Sequence, residues 1–159
     1  MSSEPHRILV VANETVGGRA LIDAVRRHAE GAHEQGRPFE VRVVAPQNEP
    51  KHGYVVYDES VRSAAENRLR MTIEQLRAVG IEARGEVFDP DPYNATMDAL
   101  GSFKADEVII STHPGQRSGW MRRDLIDRVR DSSGLPVEHI VVDLDADRAE
   151  RTRRGGRSR

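Results

Sequence analysis

The stretch Glu107-Val-Ile-Ile-Ser111 decides the fold. Its apolar centre, Val108-Ile-Ile110, has no polar residue to turn toward water. Such a run suits a strand covered on both faces, as parallel strands are. Four more blocks of this kind lie on either side of it: Ile8-Leu-Val-Val-Ala12, Phe39-Glu-Val-Arg-Val-Val-Ala45, the alternating segment from Ile81 to Phe88, and Val137-Glu-His-Ile-Val-Val142.

Helical periodicity fills the gaps between the blocks. Leu21, Val25 and Ala29 share one face, with Arg26, Arg27 and Glu30 opposite. From Asp58 to Val79 the residues Val61, Ala65, Leu69, Ile73 and Leu76 trace a helical stripe. Asp58 or Ser60 can cap its start, and Gly80 stops it. A third helix is predicted from about Pro92, with Ala95, Met97, Ala99 and Leu100 and with Asp89 or Asp91 as its cap. A fourth runs from about Trp120 to Ser132, turns Met121, Leu125 and Val129 inward, and ends at Gly134 and Pro136. Strand and helix thus alternate throughout. This predicts an α/β three-layer sandwich, Rossmann-like or flavodoxin-like, with a five-stranded parallel sheet in the order 3-2-1-4-5 and right-handed crossovers.

A length of 159 residues suits one domain. The reading divides it into a flexible N-terminus (1–6), the α/β domain (7–145) and a basic, disordered tail (146–159). The chain has no cysteine, which excludes disulfides, thiolate metal sites and cysteine nucleophiles. No stretch approaches the roughly 18 apolar residues of a membrane span, and the N-terminus lacks the apolar run of a signal peptide. The expected location is the cytoplasm. The net charge of −2 is uneven. Arg148 to Arg159 carries six arginines and one glutamate, a net +5, which leaves −7 on the body. An acidic body is a poor nucleic-acid platform, so only the tail offers such contact.

In an open α/β sheet, ligands bind beyond the carboxyl ends of the strands, where the strand order reverses. Two segments reach that place: Asn13-Glu-Thr-Val-Gly-Gly18 and Ser111-Thr-His-Pro-Gly-Gln-Arg-Ser-Gly119. The second has two glycines and Arg117, and it leads into a helix bearing Arg122 and Arg123. Backbone amides freed by glycine, together with a helix N-terminus, suit a phosphate. A plain turn before a helix gives the same pattern. No G-x-x-x-x-G-K-[ST] or G-x-G-x-x-G signature follows the first strand, and there is no G-x-S-x-G elbow. Trp120 can cover a base or pack beneath the loop.

A metal site is not expected. The chain has no His-x-x-x-His on a predicted helix, His6 and His52 fall in flexible segments, and His28 and His33 read as solvent-facing. His139 reads as structural or interfacial. Asp143-Leu-Asp-Ala-Asp147 mimics the opening of a calcium loop, but Arg148 stands where its glycine belongs and Arg154 where its glutamate belongs.

The order of elements and three local texts resemble the universal stress protein family. The texts are Ile8-Leu-Val-Val-Ala-Asn13 with the Gly-Arg-Ala-Leu helix start, Ala105-Asp-Glu-Val-Ile-Ile-Ser-Thr-His113, and Leu135-Pro-Val-Glu-His-Ile-Val-Val142. The resemblance spans roughly Arg7 to Asp143. It implies the same five-stranded sheet, a homodimer and, as in the family's ATP-binding branch, ATP or another adenine nucleotide over the crevice. The family's loop reads G-x-x-G, nine residues, then G-[ST]. Here Ser111-Thr-His-Pro114 stands at the first glycines, Arg123-Asp124 or Asp124-Leu125 stands at the last, and Gly115 and Gly119 offer a cradle in shifted register.

The expected ligand contacts are Ala12, Asn13, Thr15, Val44, Ala45, Ser111, Thr112, His113, Gly115, Arg117, Ser118 and Gly119, with no catalytic residue and no metal. The leading expectation is a regulatory or ligand-sensing domain, more a binding protein than an enzyme, that takes a nucleotide or other phosphate ligand. One alternative is a homodimeric interaction module that pairs through the edge at 137–142. The other is a nucleotide hydrolase or transferase using His113, Asp124 and Glu14.

Overall fold

The computed structural model describes residues 4–12, 18–46, 58–88, 91–112 and 119–142. Among them the elements run in the order β1 (His6–Ala12), α1 (Arg19–Glu34), β2 (Phe39–Pro46), α2 (Asp58–Ala78), β3 (Ala83–Phe88), α3 (Pro92–Ser102), β4 (Glu107–Thr112), α4 (Gly119–Ser133) and β5 (Val137–Val141). The five strands form one sheet in the order β3-β2-β1-β4-β5. Every pairing is parallel. This is the three-layer α/β sandwich that the alternation of elements predicts.

β1 lies at the centre because its sequence has nothing to show to water. Ile8, Leu9, Val10, Val11 and Ala12 are all fully buried. Successive side chains of a strand point to opposite faces, and the two cores divide accordingly. Ile8, Val10 and Ala12 pack with Leu21 and Val25 of α1 and Leu76 of α2. Leu9 and Val11 pack with Ala95 and Ala99 of α3 and with Leu125, Ile126 and Val129 of α4. Val10 sits opposite Val43 of β2 and Ile109 of β4, so the register stacks β-branched residues across the middle of the sheet.

The helix ends follow local chemistry. Gly80 takes φ +84°, a left-handed conformation that costs an L side chain about 1–2 kcal/mol. Its amide donates to the Arg77 carbonyl at 3.0 Å, and the Ile81 amide donates to the Leu76 carbonyl at 2.9 Å. These are the two bonds of a Schellman cap. Ile81, buried and bound to this cap, ends α2 and does not begin β3, so the third strand starts two residues later than its alternation suggests. At the start of α3 the Asp91 carboxylate accepts from the Tyr93 amide at 2.8 Å, with Pro92 in the first turn.

Candidate functional site

The carboxyl ends of β1, β2 and β4 form the floor of a single region. Ala12 lies opposite Ser111, and Val11 lies opposite Val44. Ala12, Val44, Ala45, Ser111 and Thr112 are all buried there. β1 and β4 are neighbours, yet β1 leads through α1 to β2 on one side and β4 leads through α4 to β5 on the other. The strand order therefore reverses between them, and such a reversal opens a crevice in α/β sheets.

Both hydroxyls on this floor are engaged. Ser111 Oγ donates to the Val11 carbonyl at 3.3 Å. Thr112 Oγ1 is 2.6 Å from His139 Nε2 on β5. Gly119 is the first residue of α4. At the start of α1, Gly18 is buried and extended, with no side-chain cap on the helix. Helix starts leave amide donors unpaired by the helix itself, with a partial positive charge. Of the other expected contacts, Asn13, Thr15, His113, Gly115, Arg117 and Ser118 lie outside the described residues, as does Glu14. Asp124 sits on the exposed face of α4, 3.9 Å from Arg128.

At the amino ends of the strands the cofactor expectation, an adenine nucleotide and no metal, is corrected. Among the described residues, the side chains that gather as a set of ligands are His6, His28 and Glu107, whose donor atoms all lie within 4.8 Å of one another. His6, expected in a flexible segment, is the first residue of β1. His28, expected to face solvent, is only 25% exposed. Sequence spacing concealed the group because β1, α1 and β4 each supply one member. Local motifs reveal ligands that share an element, and these meet only once the sheet has formed.

Neither a protein-family model nor any curated protein matches the sequence. Solved structures do match. A universal stress protein from Archaeoglobus fulgidus shares 21% identity over 84% of this chain and 93% of that one, with a TM-score of 0.54. The Archaeoglobus fulgidus universal stress protein in complex with dAMP shares 22% over 84% and 97%, with a TM-score of 0.55. A protein of the universal stress protein family from Burkholderia pseudomallei shares 16% over 85% and 96%, also at 0.55. Likeness over nearly the whole of each chain, together with the sheet order, establishes that this chain has the universal stress protein fold.

Proposed function

We propose that the chain is a regulatory, ligand-sensing domain that binds a nucleotide or another phosphate-bearing ligand above the carboxyl ends of β1, β2 and β4, without rapid chemistry. The observation that carries this reading is the reversal of strand order between β1 and β4, with α1 and α4 both starting at that end. Two helix starts supply amide donors and positive dipole ends to one place, which favours an anion. Ala12, small and buried, ends β1 at this place, and Ala45, small and buried too, lies near the end of β2. A protein with this fold, the Archaeoglobus fulgidus universal stress protein, has been solved in complex with dAMP, which supports a nucleotide as the class of ligand. Asn13, Thr15, His113, Gly115, Arg117 and Ser118 belong to the proposed contacts, with the Arg117 guanidinium neutralising phosphate.

Thermal unfolding tests the reading, with a panel of nucleoside mono-, di- and triphosphates and inorganic phosphate as the reference. A ligand that binds only the folded state at 100 times its Kd adds about 2.7 kcal/mol of stability. The expected result is a rise in Tm with at least one nucleotide, lost in Arg117→Ala. No rise with any of them at millimolar concentration overturns the reading.

A second reading concerns β5, the edge of the sheet. Its exposed Val141, 45% accessible, is an apolar side chain on a strand with one unpaired side. An open edge of this kind favours pairing with a second copy.

A further inference from the structure

We propose that His6, His28 and Glu107 form a Zn2+ site at the amino ends of the strands, with Glu138 orienting the His28 imidazole. Glu107 Oε2 lies 3.0 Å from His6 Nε2 and 2.9 Å from His28 Nδ1. Tetrahedral zinc with bonds of about 2.0–2.2 Å spaces its ligand atoms about 3.3 Å apart. Each imidazole nitrogen thus stands within a few tenths of an ångström of that spacing from the carboxylate oxygen, and all three atoms lie within 4.8 Å of one another, so the imidazoles close on each other as the ion enters. Two imidazoles and one carboxylate suit zinc, whereas calcium and magnesium prefer all-oxygen sets.

The protonation chemistry favours a cation at this point. His28 Nε2 is 2.9 Å from Glu138 Oε2, while its Nδ1 faces Glu107 at the same distance. A neutral imidazole has one N–H and one lone pair. If Nε2–H donates to Glu138, the lone pair on Nδ1 points at a carboxylate oxygen. A metal ion between Nδ1 and Glu107 turns that clash into two bonds. The alternative is a second proton on the ring, which makes the group an ion-pair network without metal.

The surroundings are those of a metal site. Ligating histidines usually present the second ring nitrogen to a carboxylate, which fixes the tautomer. Glu138 does this for His28 and is itself 3.5 Å from Arg27. His6 Nδ1 is buried without a hydrogen-bond partner and faces Asp106 Oδ2 at 3.7 Å. Asp106 is held in turn by the Arg7 amide at 2.9 Å. The His6 ring stacks on Phe39, with centroids 6.2 Å apart. A cleft of about 380 Å³, lined by Arg27, His28, Glu107 and Glu138 among others, leads to the group from solvent. It gives the ion an entry path and leaves the fourth position to water.

The test is calorimetric titration of the metal-stripped full chain with Zn2+, alongside the visible spectrum of the Co2+-loaded chain. The expected result is one saturable Zn2+ per chain at micromolar concentration and a four-coordinate cobalt spectrum. His28→Ala and His6→Ala abolish both signals, Glu138→Gln weakens binding about 10–100-fold, and His33→Ala, at an exposed position on α1, leaves binding intact. Far-ultraviolet circular dichroism checks that each variant folds, and His28→Gln serves if His28→Ala does not. Absence of saturable uptake by the unmodified chain assigns the cluster to an imidazolium network and overturns the proposal. Uptake that survives both histidine substitutions overturns it equally.

Discussion

Removing the Asp91 carboxylate leaves the Tyr93 amide without the oxygen that now accepts from it at 2.8 Å. An N-cap of this kind contributes about 0.5–2 kcal/mol. Asp91→Ala is expected to lower stability by that amount, and Asp91→Ser to recover most of it, both read from urea unfolding curves. The loss reaches beyond one helix turn, because Tyr93 links α3 to α4. Its hydroxyl is 2.8 Å from Ser132 Oγ, and the Arg128 guanidinium lies 4.0 Å above its ring. The sequence narrows the cap to Asp89 or Asp91, since both precede Pro92. Each of the two is followed by a proline that suits the first helical position, and the structure decides for Asp91, whose carboxylate accepts from the Tyr93 amide. His6 and His28 were illegible by comparison. Their partners Glu107 and Glu138 stand about a hundred residues away in the chain, and only the parallel register of β1, β4 and β5 brings them together.

At the scale of elements, Gly85 shows how α2 approaches the sheet. A Cβ built there would lie 2.5 Å from the Val43 carbonyl oxygen and would also press on Leu69. Leu69 can turn aside, but the carbonyl belongs to the β2–β3 ladder and cannot. Gly85→Ala is therefore expected to destabilise the fold by about 1–3 kcal/mol, the usual cost of overpacking. In a Leu69→Ala background the same glycine substitution should cost less but still destabilise, read as the difference between Leu69→Ala and the double variant in the same denaturation measurement. The helices themselves were legible from periodicity. Ala65 and Leu76 of α2 and Leu125 and Val129 of α4 are buried as their stripes require. Thr72, a polar residue on the same face of α2 between Leu69 and Leu76, is buried as well, and its hydroxyl donates to the Arg68 carbonyl one turn back and so needs no water. The start of β3 was not legible. Alternation begins at Ile81, and nothing in that pattern reveals that the residue serves the Schellman cap.

For the whole molecule, the sheet order was readable because parallel strands need crossovers, right-handed crossovers prune the alternatives, and the block Ile8–Ala12 must be central to be buried on both faces. Whether this end of the sheet takes a ligand was less readable, since the text after β4 departs from the glycine pattern of the family that the sequence resembles. The open edge yields a prediction at this scale. Val141→Lys places a charge on the exposed side of β5, and edge lysines oppose strand pairing. If copies pair through β5, light scattering will give a dimer for the unmodified chain and a monomer for Val141→Lys, with no change in the unfolding curve of the monomer. A chain that is monomeric at every concentration removes this arrangement.

β1 joins the two ends on which the proposals rest. Its seven residues, at about 3.3 Å each, set the histidine cluster roughly 20 Å from the crevice floor. Across that span two unit charges interact by about 0.2 kcal/mol through water and about 0.8 kcal/mol at the effective dielectric constant near 20 that suits protein sites. A cation arriving beneath the sheet thus pulls only weakly on an anion at its top. Strong communication between the two ends would have to be mechanical, carried by the stiffness of a strand locked on both sides.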